Sequence, residues 1–162
     1  MKIIQIGTGG WGKNHARILS ELGVLVAICD TNIEKSKEYG EKYSVNYYDS
    51  LEKVLESEEF DGAFVVTPTS THVEIAKKLL ETKKHVFVEK PMTYKSEDGE
   101  KLAKLAEKNK VSLEFEASVA GGIPILRTIK EGLATNKISK VYGILNGTTH
   151  YILSEIENSI QN

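Results

Sequence analysis

Lys2-Ile3-Ile4-Gln5-Ile6-Gly7-Thr8-Gly9-Gly10-Trp11-Gly12 opens the chain with a short apolar run that ends in glycines at G-x-G-x-x-G spacing. A helical pattern follows to about Leu22. A second apolar run, Val24-Leu25-Val26-Ala27-Ile28-Cys29, ends on Asp30 about two dozen residues after Gly7. A strand, a glycine turn, a helix, a second strand and a terminal acid are the parts of a dinucleotide site. Gly7 allows the tight turn out of the first strand. Gly9 lets a pyrophosphate approach the backbone, and Gly12 lets the helix pack close to the sheet. The helix then aims its free N–H groups and the positive end of its dipole at the phosphates. Asp30 is placed to accept hydrogen bonds from the adenosine ribose. A carboxylate there repels a 2′-phosphate, so NAD is favoured over NADP.

Bulk properties narrow the remaining classes. A length of 162 residues suits one domain, or one domain with the start of another. Formal charge is −2 with no basic patch, which argues against a nucleic-acid partner. The single cysteine, Cys29, sits in an apolar run and reads as a buried reduced thiol. Lys2 leads at once into strand and glycine turn, and no apolar span is long enough for a membrane. The expectation is a soluble, cytoplasmic protein with no membrane partner.

Beyond the opening unit, strands and helices alternate. Apolar runs at Val45–Tyr48, Gly62–Val66, His85–Val88 and Val111–Phe115 read as strands. Periodic stretches at Asn32–Tyr43, Leu51–Leu55, Ser70–Glu81 and Lys95–Asn109 read as helices. Asn32 or Thr31 serves as N-cap of the first, and Asp49 or Ser50 of the second. In the third, Val73, Ile75, Ala76, Leu79 and Leu80 are expected to face inward; in the fourth, Leu102, Ala103, Leu105 and Ala106 are the apolar positions. This predicts a doubly wound parallel α/β sheet of the Rossmann type over residues 1–115. The β–α rhythm breaks near Glu116. Residues 116–162 read as the incomplete start of a substrate or dimerisation domain, with a helix from Pro124 to Ala134, an apolar stretch from Val141 to Leu145 and a helical tail from Tyr151 to Ile160.

Ligands in open α/β sheets bind beyond the carboxyl ends of the strands. Three segments arrive there: the glycine turn, Thr67-Pro68-Thr69-Ser70-Thr71-His72, and Glu89-Lys90-Pro91. An ammonium near a carbinol oxygen stabilises a developing alkoxide and can relay its proton, which suits Lys90 to a catalytic role. His72, at the start of a helix, suits either a site contact or a capping and packing role. Trp11 suits either a cover over the cofactor or a plug between helix and sheet. His15 and His85 read as structural, and no metal site is expected.

Together, Gly7 to His15, Val65 to His72 and Val88-Glu89-Lys90-Pro91-Met92 resemble the glucose–fructose oxidoreductase/inositol dehydrogenase (Gfo/Idh/MocA) family over about residues 1–111. The resemblance implies hydride transfer between a nicotinamide cofactor and a sugar, cyclitol or similar secondary alcohol. It implies that Gly7, Gly9, Gly10, Trp11, Gly12 and Asp30 contact the cofactor. Lys90 would stand beside the nicotinamide and the reacting hydroxyl, with Pro91, often cis in that family, setting the turn. Glu89 would lie near the nicotinamide, and Thr67, Pro68 and His72 near its ribose.

Residues from about 114 to 153 resemble homoserine dehydrogenase instead. Phe115-Glu116-Ala117-Ser118-Val119-Ala120-Gly121-Gly122-Ile123-Pro124-Ile125 and Gly143-Ile144-Leu145-Asn146-Gly147-Thr148-Thr149 carry the likeness. It implies a dehydrogenase of an amino-acid alcohol, and a monovalent cation held near Glu116, Val119, Gly121 and Ile123. A plain tight crossover at Gly121 and Gly122 explains those glycines equally. His150 stands where that family has Asn, and residues 1–162 hold neither its downstream catalytic Asp and Lys nor the substrate-domain histidine of the sugar dehydrogenases. Expected partners are a small-molecule alcohol and, through residues 116–162, a second copy or a partner subunit. A stand-alone NAD-binding module is the reading outside catalysis.

Overall fold

A computed structural model describes residues 1–115. The chain divides into two units, Met1–Glu116 and Ala117–Asn162. The readings made for residues 116–162, including the cation ligands and the candidate interface, lie outside the described residues.

Among the described residues, six strands alternate with five helices. They are β1 (Ile3–Ile6), α1 (Gly12–Glu21), β2 (Leu25–Cys29), α2 (Ile33–Tyr43), β3 (Asn46–Tyr48), α3 (Leu51–Ser57), β4 (Gly62–Val65), α4 (Thr69–Glu81), β5 (His85–Val88), α5 (Ser96–Asn109) and β6 (Leu113–Phe115). All pairings are parallel, in the order β3-β2-β1-β4-β5-β6. This is the doubly wound sheet that the alternation predicts.

Both faces of the sheet are covered, which explains the nearly continuous apolar strands. Ile4, Ile6, Ala63, Val65, Val86 and Val88 pack against Leu51 and Val54 of α3, Ala76, Leu79 and Leu80 of α4, and Leu102 and Ala106 of α5. On the other face, Ile3, Leu25 and Ile28 pack against Ala16 and Leu19 of α1, with Tyr39 and Tyr43 of α2 against the same cluster. Chain alternation puts Gln5 on the α1 face with Ile3. It is a fully buried polar residue in an otherwise apolar strand.

Local signals account for the element ends. The Asn32 side chain accepts from the N–H groups of Glu34 and Lys35 and so starts α2, as expected. Ser50 accepts from the Lys53 N–H and starts α3. One inward assignment needs correction. In α4, Val73 is only half-buried and lies outside the core clusters, whereas Ile75 packs against the core and His72 is buried. In α5, Leu102 and Ala106 are buried, Leu105 packs against the core and Ala103 is exposed. Helical periodicity locates the inward stripe but does not fix its edges, and at His72 a polar side chain takes an inward position because it finds partners there.

Candidate functional site

The loops after two neighbouring strands leave the sheet on opposite faces at its centre. β1 leads to α1 on one face and β4 leads to α4 on the other, and β1 and β4 are neighbours. The crevice that opens at this switch point is where open α/β sheets receive ligands. Backbone hydrogen bonds continue past the strand ends and draw the loops together. Gly7 N–H donates to Cys29 O (2.8 Å), Val66 N–H to Ile6 O (2.8 Å), Glu89 N–H to Val65 O (2.9 Å) and Asp30 N–H to Tyr48 O (3.1 Å). A cavity of about 790 Å³ lies over these ends. The glycine turn, Asp30, Thr67-Pro68 and Glu89-Lys90 all line it, as do Thr31, Lys35 and, farther along, Leu51, Ile75 and Lys78.

The glycines of the turn differ in what they permit. Gly7 has φ +95°, and a Cβ there would lie 2.3 Å from the Val66 carbonyl oxygen. A Cβ on Gly12 would lie 2.4 Å from the Gly7 carbonyl oxygen. These two are glycines because the protein itself crowds them. Gly9 and Gly10 have nothing within 4 Å of an added Cβ and border the cavity. Their openness leaves room for a ligand at the backbone. Among the described residues, no acceptor lies on the N–H groups of Gly9, Gly10, Trp11 or Gly12, and no side chain caps α1. Unpaired donors at a helix N-terminus form a ready seat for a diphosphate.

Asp30 stands at the end of β2 as a formed acceptor. One carboxylate oxygen accepts from the Thr8 N–H (2.8 Å) and Thr8 hydroxyl (2.6 Å), and the other from the Asn32 N–H (2.9 Å). Burial works against its ionisation. The Thr8 hydroxyl, the Asn32 and Thr8 N–H groups and the Lys35 charge outweigh that and hold the carboxyl below its usual range. A carboxylate oxygen accepts more than one hydrogen bond, so capacity remains for ribose hydroxyls. Beside it, burial pushes the Cys29 thiol up to about 12, with Asp30, Asp49 and Glu52 adding to the effect. Cys29 is the neutral, buried thiol that its sequence setting suggests.

At the other end of the cavity, the Lys90–Pro91 peptide bond is cis, as the family resemblance implies. Lys90 is exposed and lines the cavity, and no described group accepts from its ammonium. Glu89 does not pair with that ammonium. One of its oxygens accepts the Lys90 backbone N–H at 2.6 Å, and the other lies 3.9 Å from His15 Nε2. The His15 ring is tilted against Phe64 and Phe87, at 5.8 and 5.9 Å between centroids. His15 therefore belongs to the surroundings of Glu89, a role that its reading as a structural helix residue did not include.

His72 departs from the expected ribose contact. It is 1% exposed, and the cavity lining does not include it. Its Nε2 lies 2.7 Å from the Thr67 carbonyl oxygen and its Nδ1 lies 3.1 Å from the Pro91 carbonyl oxygen. The ring thus ties the loop after β4 to the loop after β5, with one nitrogen facing each carbonyl oxygen. Trp11 is 62% exposed and borders the cavity, so it does not plug the helix–sheet interface. Gln5 and Thr8 complete the site. The first carried a signal, an amide amid isoleucines; the second occupies a variable position of the glycine motif.

Unpaired N–H groups and Asp30 thus lie at one end of the cavity, and the Lys90 ammonium, without an acceptor among the described residues, lies at the other. Residues 1–116 match the family described as oxidoreductase family, NAD-binding Rossmann fold, and residues 124–162 match homoserine dehydrogenase. The homoserine dehydrogenase of Neisseria gonorrhoeae is 34% identical across 95% of this chain, and that of Bacillus subtilis is 34% identical across 96%. The chain spans 37% and 39% of those relatives' lengths. Among solved structures, the WlbA dehydrogenase of Bordetella pertussis, in complex with NADH and UDP-GlcNAcA, superposes with a TM-score of 0.70 at 26% identity, over 88% of this chain and 45% of that one. The UDP-N-acetylglucosamine 3-dehydrogenase GnnA of Acidithiobacillus ferrooxidans gives 0.67 at 29% identity, over 71% and 38%.

Proposed function

We propose, for a chain that belongs to the oxidoreductase family with the NAD-binding Rossmann fold, that it forms the cofactor-holding part of a dehydrogenase acting on a secondary alcohol such as a sugar or cyclitol. The observation that carries this reading is the single cavity shared by the glycine turn, Asp30 and Lys90. An NAD-binding module alone has no need of a lysine, without a partner among the described residues, at the end opposite Asp30.

NAD, when bound, supplies the hydride acceptor. The protein's part is to hold and orient it and to manage the proton. The N–H groups of Gly9, Gly10, Trp11 and Gly12 take the diphosphate, and Asp30 takes the ribose hydroxyls while repelling a 2′-phosphate. Thr67, Pro68 and Glu89 border the nicotinamide end. In its neutral form Lys90 accepts the proton of the substrate hydroxyl, and the ammonium so formed stabilises negative charge on that oxygen and returns the proton in the reverse direction. Residues 116–162 begin the substrate or dimerisation domain, through which a second copy or a partner subunit joins.

A homoserine dehydrogenase-like activity is the second reading, favoured by the match at residues 124–162. Titration of the full chain with NAD and with NADP tests the cofactor site, with NAD expected to bind more tightly. Absorbance of the reduced cofactor, followed with NAD and a panel of secondary alcohols and homoserine, tests the reaction. Turnover on a sugar or cyclitol supports the first reading and turnover on homoserine the second. Binding without turnover on any alcohol leaves a binding module, and tighter NADP binding overturns the role given to Asp30.

A further inference from the structure

We infer that Gln5 is a positioning residue for the phosphate-binding turn: its side-chain amide ties the carbonyls of Gly7 and Gly12 together and so fixes the stance of the N–H groups between them. The inference deepens the NAD site proposed above and rests on that reading for its ligand.

Gln5 is fully buried on the α1 face of β1. Its Nε2 donates to Gly7 O at 2.8 Å and to Gly12 O at 2.7 Å. A side-chain amide nitrogen carries two protons, and here both are spent on the two ends of the turn. The reverse orientation of the amide would set Oε1 against two carbonyl oxygens, so the hydrogen-bond pattern fixes the assignment. The packing is equally tight. An added Cβ on Gly12 would meet Gly7 O at 2.4 Å and Gln5 Nε2 at 3.2 Å. The start of the turn, the start of α1 and the amide thus form one contact.

The arrangement has a cost that packing does not explain. Gln5 Oε1 is buried with no hydrogen-bond partner among the described residues. An apolar side chain would fill the position beside Ile4 and Ile6 without an orphaned acceptor. What an apolar side chain cannot do is hold two carbonyls. With those carbonyls held inward, the N–H groups of Gly9, Gly10, Trp11 and Gly12 have no acceptor among the described residues, and Gly9, Gly10 and Trp11 border the cavity.

Gln5→Met keeps the length of the side chain and removes both donors. In the full chain, affinities for NAD and for ADP are expected to fall roughly tenfold, because both need the diphosphate seat. Affinity for adenosine, which has no phosphate, is expected to stay within about twofold. An equal fall for adenosine, or no fall for NAD and ADP, overturns the inference. A second measurement needs no variant. In the unsubstituted chain, the Gln5 side-chain amide protons should exchange slowly and show couplings across hydrogen bonds to the Gly7 and Gly12 carbonyl carbons. Fast exchange without those couplings overturns the tie even if Gln5→Met fails to fold. Failure of the unsubstituted chain to bind NAD overturns the functional reading instead, and leaves the couplings as the test of the tie itself.

Discussion

Thr8 gives both its backbone N–H and its hydroxyl to one carboxylate oxygen of Asp30, at 2.8 and 2.6 Å. The two residues belong to different βα units, and this contact joins the glycine turn after β1 to the acid at the end of β2. Hydrogen bonds to an ionised acceptor are the stronger kind, worth about 1.5–3 kcal/mol each. Thr8 is itself buried, so little water competes for the contact.

Thr8→Val keeps the shape and removes the hydroxyl donor. The variant should unfold at lower urea, with a loss of about 1–2 kcal/mol after allowance for the exposed part of Asp30. Its NAD affinity should fall as well, because the acid loses its anchor. Urea titration followed by calorimetric binding checks both. Unchanged stability would show that the Thr8 N–H alone holds Asp30.

The depressed Asp30 carboxyl makes a pH prediction of definite sign. Its ordinary value is 3.8 and its folded value is lower. Its stabilisation is therefore complete above the ordinary value and is lost as pH falls through the folded one. The melting temperature of the natural chain should exceed that of Asp30→Asn by a constant margin from about pH 5 to 7, and the margin should close on acidification below about pH 4. A margin that widens in acid contradicts the assignment.

The glycines of the turn should separate folding from binding. Gly9→Ala places its Cβ in open space. That variant should melt within a few degrees of the natural chain and yet bind NAD at least about tenfold more weakly, since the Cβ occupies the approach to the diphosphate. Gly12→Ala meets the Gly7 carbonyl oxygen at 2.4 Å and should lose stability first, by about 1–3 kcal/mol. Equal melting temperatures for the two variants would refute the distinction.

His72 should matter to stability and, through position, to turnover. Replacing it with Leu leaves the Thr67 and Pro91 carbonyls without their shared partner. The expected loss is about 1 kcal/mol, since Thr67 is half-buried and Pro91 is exposed, so water partly replaces the lost partner. The loop that carries Lys90 then loosens, so amide exchange at Glu89 to Met92 should speed up while exchange at Gly9 to Gly12 stays unchanged. Exchange that rises equally in both loops would reduce His72 to a general core residue.

Burial removes Cys29 from surface chemistry. With its thiol pushed up to about 12, first by burial and then by neighbouring carboxylates, it is protonated at pH 8. Iodoacetamide should leave the folded chain unmodified at that pH and alkylate it in denaturant. Ready labelling of the folded chain would show that the cavity opens down to β2.

Most of the fold is legible in the sequence because its determinants are local. Asn32 and Ser50 cap their helices with their own side chains, and the apolar runs are long enough to name β1, β2, β4 and β5. The glycine spacing and Asp30 name the cofactor because a tight turn, a close approach and a terminal acid each require a residue type at a set distance along the chain. The cis bond before Pro91 is what the family resemblance implies rather than something a local rule dictates.

What the tertiary structure alone decided are the contacts between units that the chain keeps far apart. Periodicity does not say that His72 joins two carbonyls, that Thr8 anchors Asp30, or that His15 reaches Glu89. The amide of Gln5 was visible as an anomaly, but its two acceptors appear only once β1 and α1 close around Gly12. Spacing along a chain specifies backbone conformation. A hydrogen bond between distant side chains depends on where folding brings their ends, and that is set by the packing of the whole sheet.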